Sequence, residues 1–370
     1  MTERRINMTR LFKKGYGQRP YSYLNFETAQ EMNERLGIDT ALRLSLNENA
    51  YTPSPHTKDV LANLELSDLT AYPSSPNKAL RKALAKHYQV PEEAFVITNG
   101  LEEMILMFTE SLIDTGDEVI VHFPTFPEYK VYAEQLGAVV REVDNFHPGE
   151  KMNWQGLLEA INDQTKLIYI CNPNNPTGEW VTRQEIESFL KQVPSHVTVV
   201  VDEAYMEFAE NNEEITAIPL MEQFSNLSVW RTFSKAYGLA FARIGYGLFS
   251  PEYAEGLSRV RPAFSVNGIS ELVALAALED QDHLQKISAK NASERRKWLD
   301  LLEELNLTHF DSATNFVMFE YDKAEELVNY LANKGYQVNT HTYPTWIRLT
   351  LPKEEAGETV RQMVRDFVTQ

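Results

Sequence analysis

Val197-Thr-Val-Val-Val201 is an almost wholly apolar run that ends on the carboxylate of Asp202. A strand with one wet face alternates apolar and polar residues. One without alternation is covered on both sides, as in a parallel sheet between two layers of helices. Phe95–Thr98, Glu118–His122, Lys166–Cys171, Leu227–Arg231 and Ile244–Phe249 read as further short strands. Between them, Leu101, Met104, Ile105, Phe108 and Leu112 recur at helical spacing. Thr182 with Glu185 is a capping-box signature that opens a helix to about Gln192. Strands separated by helices predict βαβ units, hence an α/β fold with a largely parallel sheet.

Beyond about Ser270 the pattern changes. A long helical stretch, Glu271–Leu305, is expected to break near Asp280–Asp282. Short strands follow at Asn315–Glu320, Tyr336–Asn339 and Trp346–Leu351, and a last helix carries Val360, Met363, Val364 and Phe367 on one face. This predicts a smaller α+β unit over 271–370. The N-terminal arm, 1–46, holds no strand suited to the main sheet and is expected to join the small unit, leaving 47–270 as the large one. Two units sharing a core is the default for 370 residues.

A formal net charge of −18 disfavours nucleic acid and anionic membrane as partners, because both reward clustered basic residues. No apolar stretch is long enough to span a bilayer. The arm is basic (Arg4, Arg5, Arg10, Lys13, Lys14) but lacks the apolar segment of a signal peptide, so it reads as a polar arm on the surface or on a partner subunit. Cys171 is the single cysteine, which excludes an intramolecular disulfide and a cysteine-built metal cluster and fits the cytoplasm. No metal site is expected.

In open parallel sheets, ligands bind beyond the carboxyl ends of the strands. Asn99-Gly100-Leu101-Glu102 sits where a strand hands over to a helix, and the free N–H groups there suit a phosphate. A plain turn would look the same. Pro124-Thr-Phe126 offers a flat ring for stacking or for the core. Asn172-Pro-Asn-Asn-Pro-Thr-Gly178 fixes a rigid turn and carries side-chain amides. Asp202 needs a cation or good donors, and a helix cap or salt bridge would serve as well as a ligand. Trp230-Arg-Thr-Phe-Ser-Lys-Ala-Tyr-Gly-Leu239, followed by Ala242-Arg-Ile-Gly-Tyr-Gly247, places Lys235 on a polar turn after a strand, with Thr232, Ser234 and Arg243 nearby. A lysine there can condense with an aldehyde, while hydroxyls and an arginine hold a phosphate. Those are the two handles of pyridoxal 5′-phosphate, and its protonated ring nitrogen would be the cation for Asp202.

In that order, Asn-Gly-x-Glu, Pro-Thr-Phe, Asn-Pro-Asn-Asn-Pro-Thr-Gly, Asp-Glu-Ala-Tyr, Ser-Lys and Ala-Arg-Ile-Gly resemble the class I/II pyridoxal-phosphate aminotransferases of fold type I. Leu46–Pro55, Ala71-Tyr-Pro73 with Ala79–Leu84, and Ile347–Thr350 look most like the histidinol-phosphate aminotransferase branch. The resemblance runs from Arg43 to the C-terminus. It implies a large, mostly parallel seven-stranded sheet flanked by helices, with a smaller α+β domain. The activity implied is transfer of an amino group between an amino donor and a 2-oxo acid or related ketone, in histidine biosynthesis, by a cytoplasmic homodimer with shared active sites. Lys235 would bind the cofactor covalently and move a proton, Asp202 would pair with the ring nitrogen, and Asn175 and Tyr205 would meet the ring oxygen. Phe126 would stack on the ring. Gly100, Leu101, Thr232, Ser234 and Arg243 would hold the phosphate, joined by Tyr72 of the neighbouring subunit. Arg348 would grip the substrate's anionic group, with Asn47 and Tyr21 beside it.

Two departures bear on the substrate. The branch carries Gly-x-x-Val-Arg where this chain has Gly335-Tyr-Gln-Val338-Asn339, so a phosphate substrate lacks one expected cation unless another, such as Arg19, replaces it. The branch also opens with Tyr-x-Pro-Gly, whereas here a longer arm carries Gly15–Pro20 and Tyr21-Ser-Tyr23. An aminotransferase for aromatic or other free amino acids, its pocket lined by Tyr21, Tyr23, Tyr343 and Trp346, therefore stays open. So does a lyase or decarboxylase resembling threonine-phosphate decarboxylase.

Overall fold

The structure, a computed structural model, describes residues 27–150, 152–340 and 343–370. Its strands are β1 (Leu42–Arg43), β2 (Phe95–Thr98), β3 (Glu118–Phe123), β4 (Val139–Asp144), β5 (Thr165–Cys171), β6 (Thr198–Asp202), β7 (Leu227–Thr232), β8 (Gly245–Leu248), β9 (Phe316–Glu320), β10 (Tyr336–Gln337), β11 (Asn339–Thr340) and β12 (Trp346–Thr350). Seven form one sheet in the order β2-β8-β7-β6-β5-β3-β4. Every neighbouring pair is parallel except those of β8, which runs antiparallel to both β2 and β7. The carboxyl ends of β2, β3, β5, β6 and β7 and the entry to β8 therefore share one edge.

The missing alternation in β6 has the expected cause. Val199 and Val201 enter one apolar core with Ile168, Ile170, Val229 and Leu227, while Val200 enters the core on the opposite face with Leu167, Tyr169 and Trp230. Helices close both faces. β4 was not foreseen. It is the edge strand, and Val139, Arg141, Glu142 and Asp144 are exposed, so its sequence carries no apolar run.

The small unit holds the antiparallel sheet β11-β12-β9. The segment expected to join it does so through β1, which pairs in parallel with β10, and through Leu44, which shares a core with Trp298, Leu302, Val317, Ile347, Leu349 and Val360. The single strand expected over Tyr336–Asn339 is two short ones that pair with different partners. The long helical stretch breaks at Asp280, between helices Gly268–Glu279 and Gln281–Glu304; Oδ1 of Asp280 accepts from His283 N at 3.2 Å. The first of these helices puts Val273, Ala274, Ala277 and Leu278 into the large unit's core. Leu284, on the second helix, joins the same core. Among the described residues, no helix is long and apolar enough to cross a membrane, and no group of histidine, cysteine and carboxylate residues is arranged to hold a metal ion.

Candidate active site

The turn after β7 delivers Lys235 to the common edge. Its Nζ donates to the carbonyl of Leu46 at 3.0 Å and lies 5.6 Å from the centroid of the Tyr205 ring. Desolvation lowers the amine to about 7; Arg348 and Arg243 push the same way, against Glu48 and Asp202. A useful fraction is then unprotonated at neutral pH, the state that bonds to carbonyl carbon or takes a proton.

At the end of β6, Asp202 is buried, and its oxygens accept from Tyr129 Oη at 2.6 Å and from Ala204 N at 3.0 Å. Burial raises the carboxyl to about 6, against the pull of those two donors and of Lys235. Among the described residues Asp202 has no ion-pair partner and caps no helix. It is a buried acceptor at a strand end, served by one phenol and one backbone N–H.

The corner between β2, β7 and β8 is built for an anion. Helix Leu101–Leu112 starts after Gly100, whose φ is +78°. A Cβ there would lie 2.5 Å from Nη2 of Arg243, so only glycine lets the guanidinium close over the helix start. Arg243 donates to Ala240 O at 3.2 Å and reaches Ser234 Oγ at 3.5 Å, and Thr232 Oγ1 accepts from Ser234 N at 3.1 Å. Gly100, Leu101, Thr232, Ser234 and Arg243 thus bring together helix-start N–H groups, two hydroxyls and a guanidinium. That is the donor set of a phosphate.

Arg348 projects from β12 on the face opposite Ile347 and Leu349, which fill the small unit's core. Its Nη1 donates to Asn175 Oδ1 at 2.5 Å, its Nη2 donates to Ser45 O at 2.6 Å, and its guanidinium lies 5.5 Å from the Phe316 ring. The dense turn Asn172–Gly178 explains how Asn175 is held against Arg348. Asn172 bonds both backbone groups of Val181, and Asn174 donates to Pro124 O and Thr177 Oγ1, so the flanking amides lock the loop. Asn47, at φ 55°, donates through Nδ2 to Tyr205 Oη at 3.0 Å. It also accepts from the hydroxyl of Thr350 at 3.0 Å. Asn339 stands in register with Arg348 across β11 and β12, hence on the same face.

Phe126 is half-buried, edge-on to Tyr129 with centroids 5.6 Å apart. Tyr72 is not gathered into this cleft: it is 82% exposed and stacks on Phe264. Tyr21 lies outside the described residues, as do Arg19 and Tyr23. Tyr343 and Trp346 pack against Phe146 at 4.2 and 4.9 Å and, for Trp346, against Phe310 at 5.1 Å. They belong to an aromatic cluster in which Trp346 is buried and Tyr343 half-buried. Sequence reasoning missed Tyr129, whose one signal is its place three residues after Phe126 on helix Glu128–Leu136. It also missed the carbonyls of Ser45 and Leu46, because main-chain acceptors leave no mark in a sequence.

The family model described as aminotransferase class I and II matches residues 39–363. The histidinol-phosphate aminotransferase of Lactiplantibacillus plantarum is 37% identical over 336 residues, covering 91% of this chain and 94% of that protein. The protein of the same name from Staphylococcus haemolyticus is 38% identical over 340 residues, covering 91% and 95%. Among solved structures, histidinol-phosphate aminotransferase from Sinorhizobium meliloti in complex with pyridoxal-5′-phosphate matches with a TM-score of 0.85 at 26% identity, covering 96% of this chain and 98% of that one. L-threonine-O-3-phosphate decarboxylase from Porphyromonas gingivalis shares the fold, with a TM-score of 0.76 at 21% identity over 89% of this chain and 100% of that one.

Proposed function

This chain belongs to the class I and II aminotransferases, and on that premise we propose that it is a transaminase of the histidinol-phosphate type, working as a homodimer in the cytoplasm. The family is pyridoxal-phosphate-dependent, and the residues at the sheet edge fit that cofactor. Arg243 closes over the Gly100 helix start as a phosphate cradle, Lys235 supplies an amine of lowered basicity, and Asp202 supplies a buried acceptor. When bound, the cofactor supplies an aldehyde carbon for an amine and a protonated ring that accepts charge from the substrate's α-carbon.

In this reading Gly100, Leu101, Thr232, Ser234 and Arg243 hold the phosphate. Phe126 covers one face of the ring, Asn175 and Tyr205 donate to its oxygen, and Asp202 keeps its nitrogen protonated. Lys235 would take the proton from the substrate's α-carbon and hand it to the carbon on the far side of the amino nitrogen, which its lowered basicity permits. Arg348 orients the substrate by its anionic group, which replaces the carbonyl of Ser45 as acceptor. Asn47 holds Tyr205 in place and borders the substrate. Leu66, Leu69, Tyr72 and Phe264 expose apolar surface outside the cleft, which supports a second copy whose Tyr72 reaches across to the phosphate.

The observation that carries the reading is the convergence of Lys235, Asp202 and Arg348, which lie close enough together for Arg348 and Asp202 to act on the charge of Lys235. The substrate class follows the relatives at 37 and 38% identity. Asn339 favours a second reading, a transaminase for free amino acids, because it places an amide where a second cation would serve a phosphate. The test compares histidinol phosphate with phenylalanine and other amino donors, using 2-oxoglutarate as acceptor. Histidinol phosphate is expected to be the fastest donor. Much faster turnover of phenylalanine would replace the substrate and leave transamination standing, whereas release of carbon dioxide with an amine product would replace the reaction class.

A further inference from the structure

Tyr129 occupies the middle of the site and has no part in the scheme above. Its ring is fully buried and stacks face to face on Tyr169, with centroids 4.4 Å apart and planes 5° from parallel. Tyr169 is itself fixed by a 2.7 Å hydrogen bond between its hydroxyl and Thr109 Oγ1. A phenylalanine would fill the same volume in this stack. What the phenol adds is the 2.6 Å bond from its Oη to Asp202 Oδ2. On its other side the same ring meets Phe126 edge-on, at 5.6 Å and 79°. One immobilised side chain therefore touches both the carboxylate and the aromatic ring that would hold the cofactor's ring.

Resting on the assignment of Asp202 to the cofactor's ring nitrogen, we propose that Tyr129 is a positioning residue. Its hydroxyl orients the Asp202 carboxylate, and its ring buttresses Phe126. A donor to one carboxylate oxygen stabilises the anion and opposes the burial that favours the acid. Among the side chains facing Asp202, no other is seen donating to it. Ala204 N serves the other oxygen from a position fixed by the backbone. The Cys171 thiol donates to the carbonyl of Pro173, and the Tyr169 hydroxyl pairs with Thr109. Glu203, the residue after β6, is like-charged and tied to Arg231. Lys235 acts on Asp202 only through its charge. Tyr129 thus decides how strongly Asp202 competes for the ring's proton, and it couples that balance to the platform beneath the ring.

The deciding experiment titrates Asp202 in the cofactor-free protein by infrared difference spectroscopy, with Asp202→Asn identifying the band. Tyr129→Phe is expected to raise the midpoint by about one pH unit or more, the scale of a lost bond to a charged acceptor. An unchanged or lowered midpoint overturns the proposal. In the loaded enzyme, Tyr129→Phe should lower kcat by about tenfold while KM for the amino donor stays within about twofold, since the loss falls on the transition state. A change confined to KM overturns it. Tyr129→Leu removes the ring as well and should bind added pyridoxal 5′-phosphate more weakly than Tyr129→Phe; equal affinities overturn the buttressing role. If the native protein fails to attach pyridoxal 5′-phosphate at Lys235, the proposed function falls, and the cofactor-free titration still decides whether Tyr129 governs Asp202.

Discussion

Around Glu203, Arg231 donates from Nε at 2.9 Å and from Nη2 at 2.7 Å to the same carboxylate oxygen. It also reaches Glu207 at 3.3 Å, Thr216 Oγ1 at 3.0 Å and Tyr88 Oη at 3.1 Å. Glu203 accepts in addition from Ala217 N and Thr216 Oγ1. One residue earlier, Asp202 is as deeply buried but meets a phenol and a single backbone N–H, and the nearby Lys235 is held by a carbonyl. In the first cluster Arg231, Thr216 and Ala217 serve both oxygens of Glu203, and only Oε2 of Glu207 is left without a hydrogen-bond partner among the described residues. The second holds a carboxyl raised to about 6 and an amine lowered to about 7, each displaced from its ordinary value chiefly by burial. On the proposed reading, adjacent residues of one strand end thus separate an internal ion cluster from a site that awaits charge from a ligand.

The contrast can be broken most directly at Lys235. Lys235→Ala is expected to lower turnover by roughly four decades or more, since both covalent and proton-transfer roles go. The cofactor-free protein should meanwhile melt no lower than the native one, and a marked fall in its melting temperature would place Lys235 with the structural cluster. Arg231→Met should do the reverse. It strands two buried carboxylates and is expected to cost about 3–5 kcal/mol in urea unfolding, while the fraction that remains folded keeps its turnover. Asp202→Asn comes next, with a half-reaction slowed by roughly two to three decades in stopped-flow absorbance and a native fold by circular dichroism. A near-native rate would show that Asp202 does not serve the ring.

Arg348→Ala should raise KM for donor and acceptor alike by roughly ten- to a hundredfold, the equivalent of one charge-assisted bond. The smallest effect lies in pH dependence. The folded Lys235 amine titrates near 7 and its unfolded counterpart near 10.5, so between those values the unfolded chain binds more protons and the stability of the cofactor-free protein rises with pH. Asp202 has the opposite sign. Raised from 3.8 to about 6, it is protonated in the folded state first, so its contribution to stability declines as pH rises through that window. Chemical denaturation of Lys235→Met should lose the upper rise and keep the lower decline; retention of the upper rise would assign it to another group.

Those features that rest on local chemistry were legible in the sequence. A doubly buried strand has to be apolar, so β6 and its neighbours announced the parallel sheet, and the motifs at their ends singled out Lys235, Asp202, Asn175, Arg243 and Gly100 as the candidates for the proposed site. What stayed hidden depends on partners far along the chain. β4 is an edge strand whose exposed charges match its surroundings and no buried pattern. Tyr129 is one aromatic residue among many until folding brings its hydroxyl to Asp202, 73 residues away. The register that sets Asn339 beside Arg348 depends on pairing between two strands, the first only two residues long, too short to show a period. Trp346 and Tyr343 stayed open for the same reason, since an aromatic near a site is told from an aromatic in a core only by what packs on it.

The strip from Leu44 to Asn49 has a consequence for how such a chain can be recombined. Leu44 exchanges backbone bonds with Gln337 and Thr350, Asn47 joins Thr350 to Tyr205, Asn49 donates to Ala236 O at 2.8 Å, and Asn315 donates to the carbonyls of residues 47 and 48. These residues straddle the start of the large unit in sequence and are wired to both units, and Leu46 and Ser45 among them supply the carbonyls that occupy Lys235 and Arg348. A chimera that exchanged only the C-terminal unit for a relative's would therefore inherit a strip matched to the wrong sheet. The heritable block is discontinuous, and a crossover that respects it must carry both ends of the chain together.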